Sequence, residues 1–202
     1  MNREAVLADK ASPTSRIVSA ARRLFFKHGF ASVTTDMLAK EASCSKATLY
    51  KYYPNKLDLL TAVVEVEGHR FWIDAGKLPD DKVEYTNVLK EYGRNFLALL
   101  SDKDIRGFEH LMISESTSHP EGAATFYEKA LRRTLDELSR VIAHGQRIGV
   151  IVDTYKPEHL ADMLICAWKG MTHSRLQLSL EARPYTDRDN HVIRCMAVIL
   201  GL

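Results

Sequence analysis

The sequence predicts an all-α fold of about nine helices in two domains. Three observations lead there. Apolar residues recur at helical spacing along almost the whole chain. Ser, Thr, Pro and Gly stand where helices should start and stop. The one short apolar run that could pass for a strand, Val150-Ile151-Val152, has no partner, so it reads as a packed loop.

The first domain is expected over residues 14–56, after a polar arm at 1–13 that lacks the apolar core of a secretory signal. Ser12-Pro13 opens helix one, with serine as cap and proline where its missing N–H costs nothing. Ile17, Ala20, Ala21, Leu24 and Phe25 form its apolar face, and Gly29 ends it. Arg16, Arg22, Arg23 and Lys27 take the other faces, where solvation alone accounts for them. Thr34 caps a second helix with Asp36 in its first turn and Leu38, Ala39 and Ala42 inside. Ser43-Cys44-Ser45 is a break, Ser45 caps a short helix from Lys46 to Tyr53, and Pro54 stops it.

The second domain, 57–202, continues as helices. A helix from Asn55 to about Ile73 buries Leu57, Leu60, Val63, Val64 and Phe71, and residues 74–82 form a loop. Tyr85, Val88, Leu89, Tyr92, Phe96 and Leu99 mark the next helix, and Ser101-Asp102 breaks it. A helix over 103–117 follows, then a long one from near Pro120 that Gly145 and Gly149 close. Helices at 157–181 and 187–200 complete the chain.

With 202 residues, 46% hydrophobic and 27% charged, the composition is that of a soluble globular protein. No apolar run approaches the ~18 residues of a membrane span. Cys44, Cys166 and Cys195 form no disulfide framework and fit a reducing cytoplasm. Residues 1–60 hold ten Lys/Arg against five Asp/Glu, a balance of +5, whereas 61–202 hold eighteen against twenty-one, −3. A basic head on a mildly acidic body suits contact with a polyanion. There is no G-x-S-x-G, phosphate loop, dinucleotide fingerprint, CxxC or HExxH, so an enzyme reading has nothing to stand on. Glu115 and His119 have metal-face spacing, but Pro120 interrupts their helix, so no metal and no cofactor is expected.

Helix–turn–helix spacing over Thr34–Lys56 puts two lysines and three tyrosines on one short helix. Lysine and tyrosine bind phosphates, and small residues at a helix N-terminus admit base edges. A polar surface helix with packed aromatics is the alternative. The stretch Phe25 to Leu60 resembles the DNA-binding domain of the TetR family of regulators. It does so through Phe25-x-x-x-Gly29-Phe30, Val33-Thr34-Thr35, Leu38-Ala39-x-x-Ala42 and Thr48-Leu49-Tyr50-x-Tyr52-Tyr53-x-Asn55-Lys56-x-x-Leu59. Ser43, Cys44, Ala47 and Tyr53 depart from the usual family residues without removing a phosphate or base contact. The stretch from Phe108 to Arg147 is similar to the C-terminal domain of a common subgroup.

The resemblance implies a helix-turn-helix DNA-binding domain followed by a helical body for ligand binding and dimerisation. The expected DNA contacts are Thr34, Thr35, Lys46, Ala47, Thr48, Leu49, Tyr50, Tyr52 and Lys56. Lys46 and Thr48 are expected at base edges, and Thr35, Tyr50, Tyr52 and Lys56 at phosphates. A small, largely apolar effector is expected at Trp72, Phe96, Phe108, Met112, Trp168 and Met171, with Glu115 and Arg175 orienting its polar group. An ordinary helical core explains the same aromatics, and a backbone partner explains Glu115. Cys44 reads as a small buried hydrophobe before a redox switch. The implied protein is a cytoplasmic homodimer, paired through its last two helices, that represses from a near-palindromic operator. The alternative is a DNA-bound adaptor that answers to a protein partner and needs no effector.

Overall fold

The computed structural model describes residues 12–69, 77–180, 185 and 187–202. Among the described residues every regular element is helical. They are α1 (Pro13–Ser32), α2 (Thr35–Glu41), α3 (Lys46–Tyr52), α4 (Lys56–Gly68), α5 (Lys82–Ser101), α6 (Lys103–Glu115), α7 (Pro120–Phe126), α8 (Arg133–Arg147), α9 (Pro157–Gln177) and α10 (Arg188–Leu200). A π-helical stretch, Tyr127–Arg132, joins α7 to α8 without a break, which makes nine helical segments among the described residues. The expected continuation of the 55–73 helix through Phe71, Trp72 and Ile73 lies outside the described residues.

The chain divides into two compact units, and the division does not follow the sequence. The first unit comprises 1–67 together with 107–130, so the boundary expected at 56/57 falls inside it. Its core holds Ile17, Ala20, Ala21, Phe25 and Phe30 from α1, Leu38 from α2, Leu49 from α3, and Leu59, Leu60 and Val63 from α4. Phe108 and Met112 of α6 complete it. The Phe26 ring stacks on Phe108 at 4.5 Å, and Phe108 meets Phe126 edge-on at 5.6 Å. Aromatic pairs of this geometry are favourable beyond the area they bury. Arg22 adds an ion pair to Glu67 at 2.6 Å, and Arg23 one to Glu41 at 2.7 Å.

The caps expected for the small helices are present. Ser12, Thr34 and Ser45 accept the N–H groups of Ser15, Met37 and Thr48. Asn55 caps α4 reciprocally, accepting the Asp58 N–H at 2.8 Å and donating to its carboxylate at 2.7 Å. Each bond from a backbone N–H satisfies a helix-end donor that has no partner within its own helix.

The second unit comprises 68–106 and 131–202. Its core gathers Tyr85, Leu89, Tyr92, Phe96 and Leu97 from α5, Leu138, Val141 and Ile142 from α8, Leu160, Leu164 and Trp168 from α9, and Val192 and Met196 from α10. Gly145 was expected to stop a helix. It lies within α8 instead, because the Tyr85 hydroxyl rests against its bare Cα and donates to Val141 O at 3.0 Å. Burial pushes the Tyr85 phenol pKa above its ordinary range. Gly149, at φ 67°, is the residue that leaves the helix. Ile151 then packs into the core from a non-strand segment, as the sequence indicated.

Candidate nucleic-acid interface

One apolar residue orients the recognition helix. Leu49 is 2% exposed and packs in the core of the first unit. Around it Lys46, Ala47, Tyr50, Lys51 and Tyr52 are exposed and Thr48 is half-buried. Leu49 was expected among the DNA contacts, but its side chain is core, so it serves the interface as an anchor. Thr48 is held at the start of α3, its N–H donated to Ser45 Oγ and the two hydroxyl oxygens 2.9 Å apart.

Charge on this face is balanced within the head. Lys46 Nζ lies 2.7 Å from Asp36 Oδ1 across the turn. The hydrogen bond to Asp36, and then its negative charge, raise the lysine pKa above its ordinary value. The pair is solvent-exposed, so it leaves Lys46 free to change partner. Lys51 lies over the Tyr52 ring at 5.9 Å.

A shallow cleft beside α3 is lined by Thr35, Tyr50, Tyr53, Asn55 and Lys56 over a floor that includes Leu38 and Leu49. Thr34 is committed to capping α2, while Thr35 presents its side chain to the cleft. Sequence reasoning had passed over Tyr53 and Asn55. Tyr53 is half-buried, and desolvation followed by the Glu65 charge raises its pKa.

Lys56, expected at a phosphate, is held by backbone groups within the head. Its ammonium donates to Phe30 O at 2.8 Å, Val33 O at 3.2 Å and Ala31 O at 3.3 Å, and lies 4.3 Å from the Phe30 ring centroid. The three carbonyls match the three donors of the ammonium. Desolvation lowers its pKa against the opposing pull of Glu115 and Glu121.

The described residues expected at an effector divide between the two units. Phe108 and Met112 belong to the core of the first unit. Glu115 has the backbone partner that the sequence left open, accepting the Ala31 N–H at 3.0 Å. In the second unit Phe96 and Trp168 come together, ring centroids 6.2 Å apart, and the buried Trp168 indole N–H has no acceptor among the described residues. Met171 and Arg175 are exposed, Met171 at 71%. In a straight helix both would share the Trp168 face, but Gly170 at φ 51° breaks α9 and turns that face. Trp72 lies outside the described residues.

Residues 17–63 match the family described as bacterial regulatory proteins, tetR family. Residues 87–200, more than half the chain, match the AefR-like transcriptional repressor C-terminal domain. The chain belongs to the TetR family. Its class is therefore that of helix-turn-helix transcriptional repressors, not of enzymes. The HTH-type transcriptional repressor SCO4008 of Streptomyces coelicolor is 29% identical over 160 residues, 78% of this chain and 77% of its own. An uncharacterised HTH-type regulator of Mycobacterium tuberculosis is 46% identical over 55 residues, 27% of each chain. The flavonoid-responsive regulator FrrA shares the fold at a TM-score of 0.72 and 23% identity, covering 94% of this chain and 95% of that one. SmeT in complex with triclosan does so at 0.68 and 20%, covering 92% and 90%. Seen within the family, residues 107–130 fall in the C-terminal match yet pack into the compact unit that carries the DNA-binding helices. No described helix is long and apolar enough to cross a membrane.

Proposed function

We propose that this TetR-family member acts in the cytoplasm as a homodimeric repressor released from a near-palindromic operator by a small, largely apolar effector. The observation that carries the DNA half of this reading is α3. Buried Leu49 pins it, and Lys46, Ala47 and Tyr50 are turned to solvent at its capped N-terminal end. Lys46 and Thr48 would read base edges, with Ala47 permitting close approach. Thr35, Tyr50 and Tyr52 would bond phosphates. Lys56 is left out of the phosphate set because backbone carbonyls hold it.

Dimerisation through α9 and α10 is supported by apolar side chains that they leave exposed: Met163, Met171, Ile193 and Val198. Two α3 helices would then enter successive major grooves, with half-sites about one DNA turn apart or somewhat more. The effector half is supported by the Phe96–Trp168 pair and its unpartnered indole N–H, and by structural neighbours whose names are flavonoid-responsive regulator and triclosan complex. An effector acts only through its differential affinity for the DNA-competent and incompetent states.

The test is selection of bound sequences from random duplex DNA at two salt concentrations. Recovery of a near-palindrome, bound with a steep salt dependence, is the expected result. Weak binding without sequence preference would overturn the reading and favour an adaptor that needs a protein partner.

A further inference from the structure

The segment Gly29–Val33, which follows the kink of α1 at Gly29 and leads directly into α2 as a turn, is gripped from both ends of the first unit's sequence. Lys56 of α4 binds three of its carbonyls and lies over the Phe30 ring. Glu115, the last residue of α6, takes its Ala31 N–H. Gly122 of α7 backs onto Phe30 so closely that a Cβ there would lie 2.7 Å from the ring. Glu121 adds a second carboxylate to the field at Lys56. Gly29 adopts φ 79°, ψ 170°, and its bare Cα is where the Glu115 carboxylate rests.

These contacts do more than close a helix end. The next residue, Thr34, caps α2, and α2 carries Asp36, the partner of Lys46 on α3. Leu38 of α2 and Leu49 of α3 share the floor of the cleft beside the interface. A displacement of the turn therefore carries α2 with it, and α3 through α2. Charge makes the grip directional, because the ammonium takes backbone carbonyls and the carboxylate takes an N–H. Bonds of this charge-assisted kind are the strong ones.

We propose that Glu115 is a positioning residue for DNA recognition: with Lys56 it clamps the Gly29–Val33 turn and so holds the helix-turn-helix in its operator-binding pose. Residues 107–130 are then a working part of the DNA-binding head, although by sequence they belong to the repressor C-terminal domain. The proposal rests on the DNA-binding reading above and adds to it a control point outside the DNA surface.

The experiment uses the full chain and the sequence recovered by the random-duplex selection, with an unrelated duplex of equal length as the non-specific probe. Glu115→Ala removes the acceptor, Glu115→Asp withdraws it by one methylene, and Glu115→Gln keeps an acceptor at the same reach. Glu115→Ala is expected to lower the ratio of specific to non-specific affinity about tenfold, the scale of one charge-assisted bond. Glu115→Gln should restore most of that ratio, and the Ala31 amide should exchange slowly only in the wild type and Glu115→Gln. A purely structural role would lower the melting temperature and leave the ratio of the folded protein unchanged, and that result overturns the proposal. If Glu115→Ala fails to fold, the same comparison is made between Glu115→Asp and Glu115→Gln, and equal ratios overturn it. Failure of the wild type to select any sequence would strike the DNA-binding reading instead, so the two failures are distinct.

Discussion

Replacing Gly29 by alanine measures the Glu115 contact from the opposite side. At φ 79°, ψ 170° the backbone is in a region essentially reserved for glycine, so a Cβ costs about 1–3 kcal/mol in strain. The same Cβ would lie 2.0 Å from Glu115 Oε1. The carboxylate is the free end of a flexible side chain, so it can swing aside, but it then gives up the Ala31 N–H. A hydrogen bond to a charged group contributes about 1.5–3 kcal/mol, which brings Gly29→Ala to roughly 2.5–6 kcal/mol. Glu115→Ala alone should cost about 1.5–3 kcal/mol. In the double variant the bond is already absent, so Gly29→Ala adds only the strain. The double variant should therefore be no less stable than Gly29→Ala, with a coupling of about 1.5–3 kcal/mol between the sites. Urea unfolding of the four proteins, with m-values compared, gives the cycle directly. Additive losses would refute the reasoning, because they would mean that the added methyl does not displace the carboxylate.

The remaining predictions address other parts of the molecule. Lys46→Ala and Thr48→Ala should each cost about 1–3 kcal/mol at the selected operator and relax preference at one base pair. A uniform loss across all sequences would move either residue to the phosphate set. Leu49→Ala should destabilise the head by about 2–5 kcal/mol, measured by thermal or urea unfolding, whereas Tyr50→Phe should leave stability unchanged and weaken DNA binding. Trp168→Phe removes an unpartnered indole N–H, whose relief offsets the lost packing, so stability should stay within about 1 kcal/mol. A loss as large as about 3 kcal/mol would show that the N–H has an acceptor. Tyr53, Tyr85 and Tyr92 all have pKa values raised above the ordinary phenol range, mainly by burial. The fold thus favours their protonated forms: this contribution is complete below about pH 10 and falls as pH rises beyond it. Phenolate absorbance from the fully buried Tyr85 and Tyr92 should appear only together with loss of helical signal.

The helices and their ends were legible because their signals are local. Ser12, Thr34 and Ser45 cap within three residues of the N–H groups they bind. The DNA-facing pattern of α3 follows from one apolar residue in a polar helix. What escaped the sequence is contact between distant residues. Glu115 and Ala31 are 84 positions apart, and nothing in the helical spacing of α6 points to the far turn. Lys56 lies in a motif that suggests phosphate binding, and only the fold brings it against the carbonyls of residues 30, 31 and 33. Gly145 was misread for a related reason. A glycine that admits a neighbour's hydroxyl looks the same in sequence as one that ends a helix. Met171 and Arg175 left the Trp168 face because periodicity assigns faces on straight helices, and α9 is broken at Gly170.

The split of the first unit across the sequence bears on anyone who would build hybrids from this regulator. A chimera joined near residue 67 would transplant the DNA-reading helices without α7 and the last nine residues of α6. The graft would leave Phe26 without the Phe108 ring and the Ala31 N–H without its carboxylate, however well the new body folded. Specificity is thus portable only as a two-piece cassette, 12–67 with 107–130, unless the recipient body supplies its own acid and aromatic at the same places.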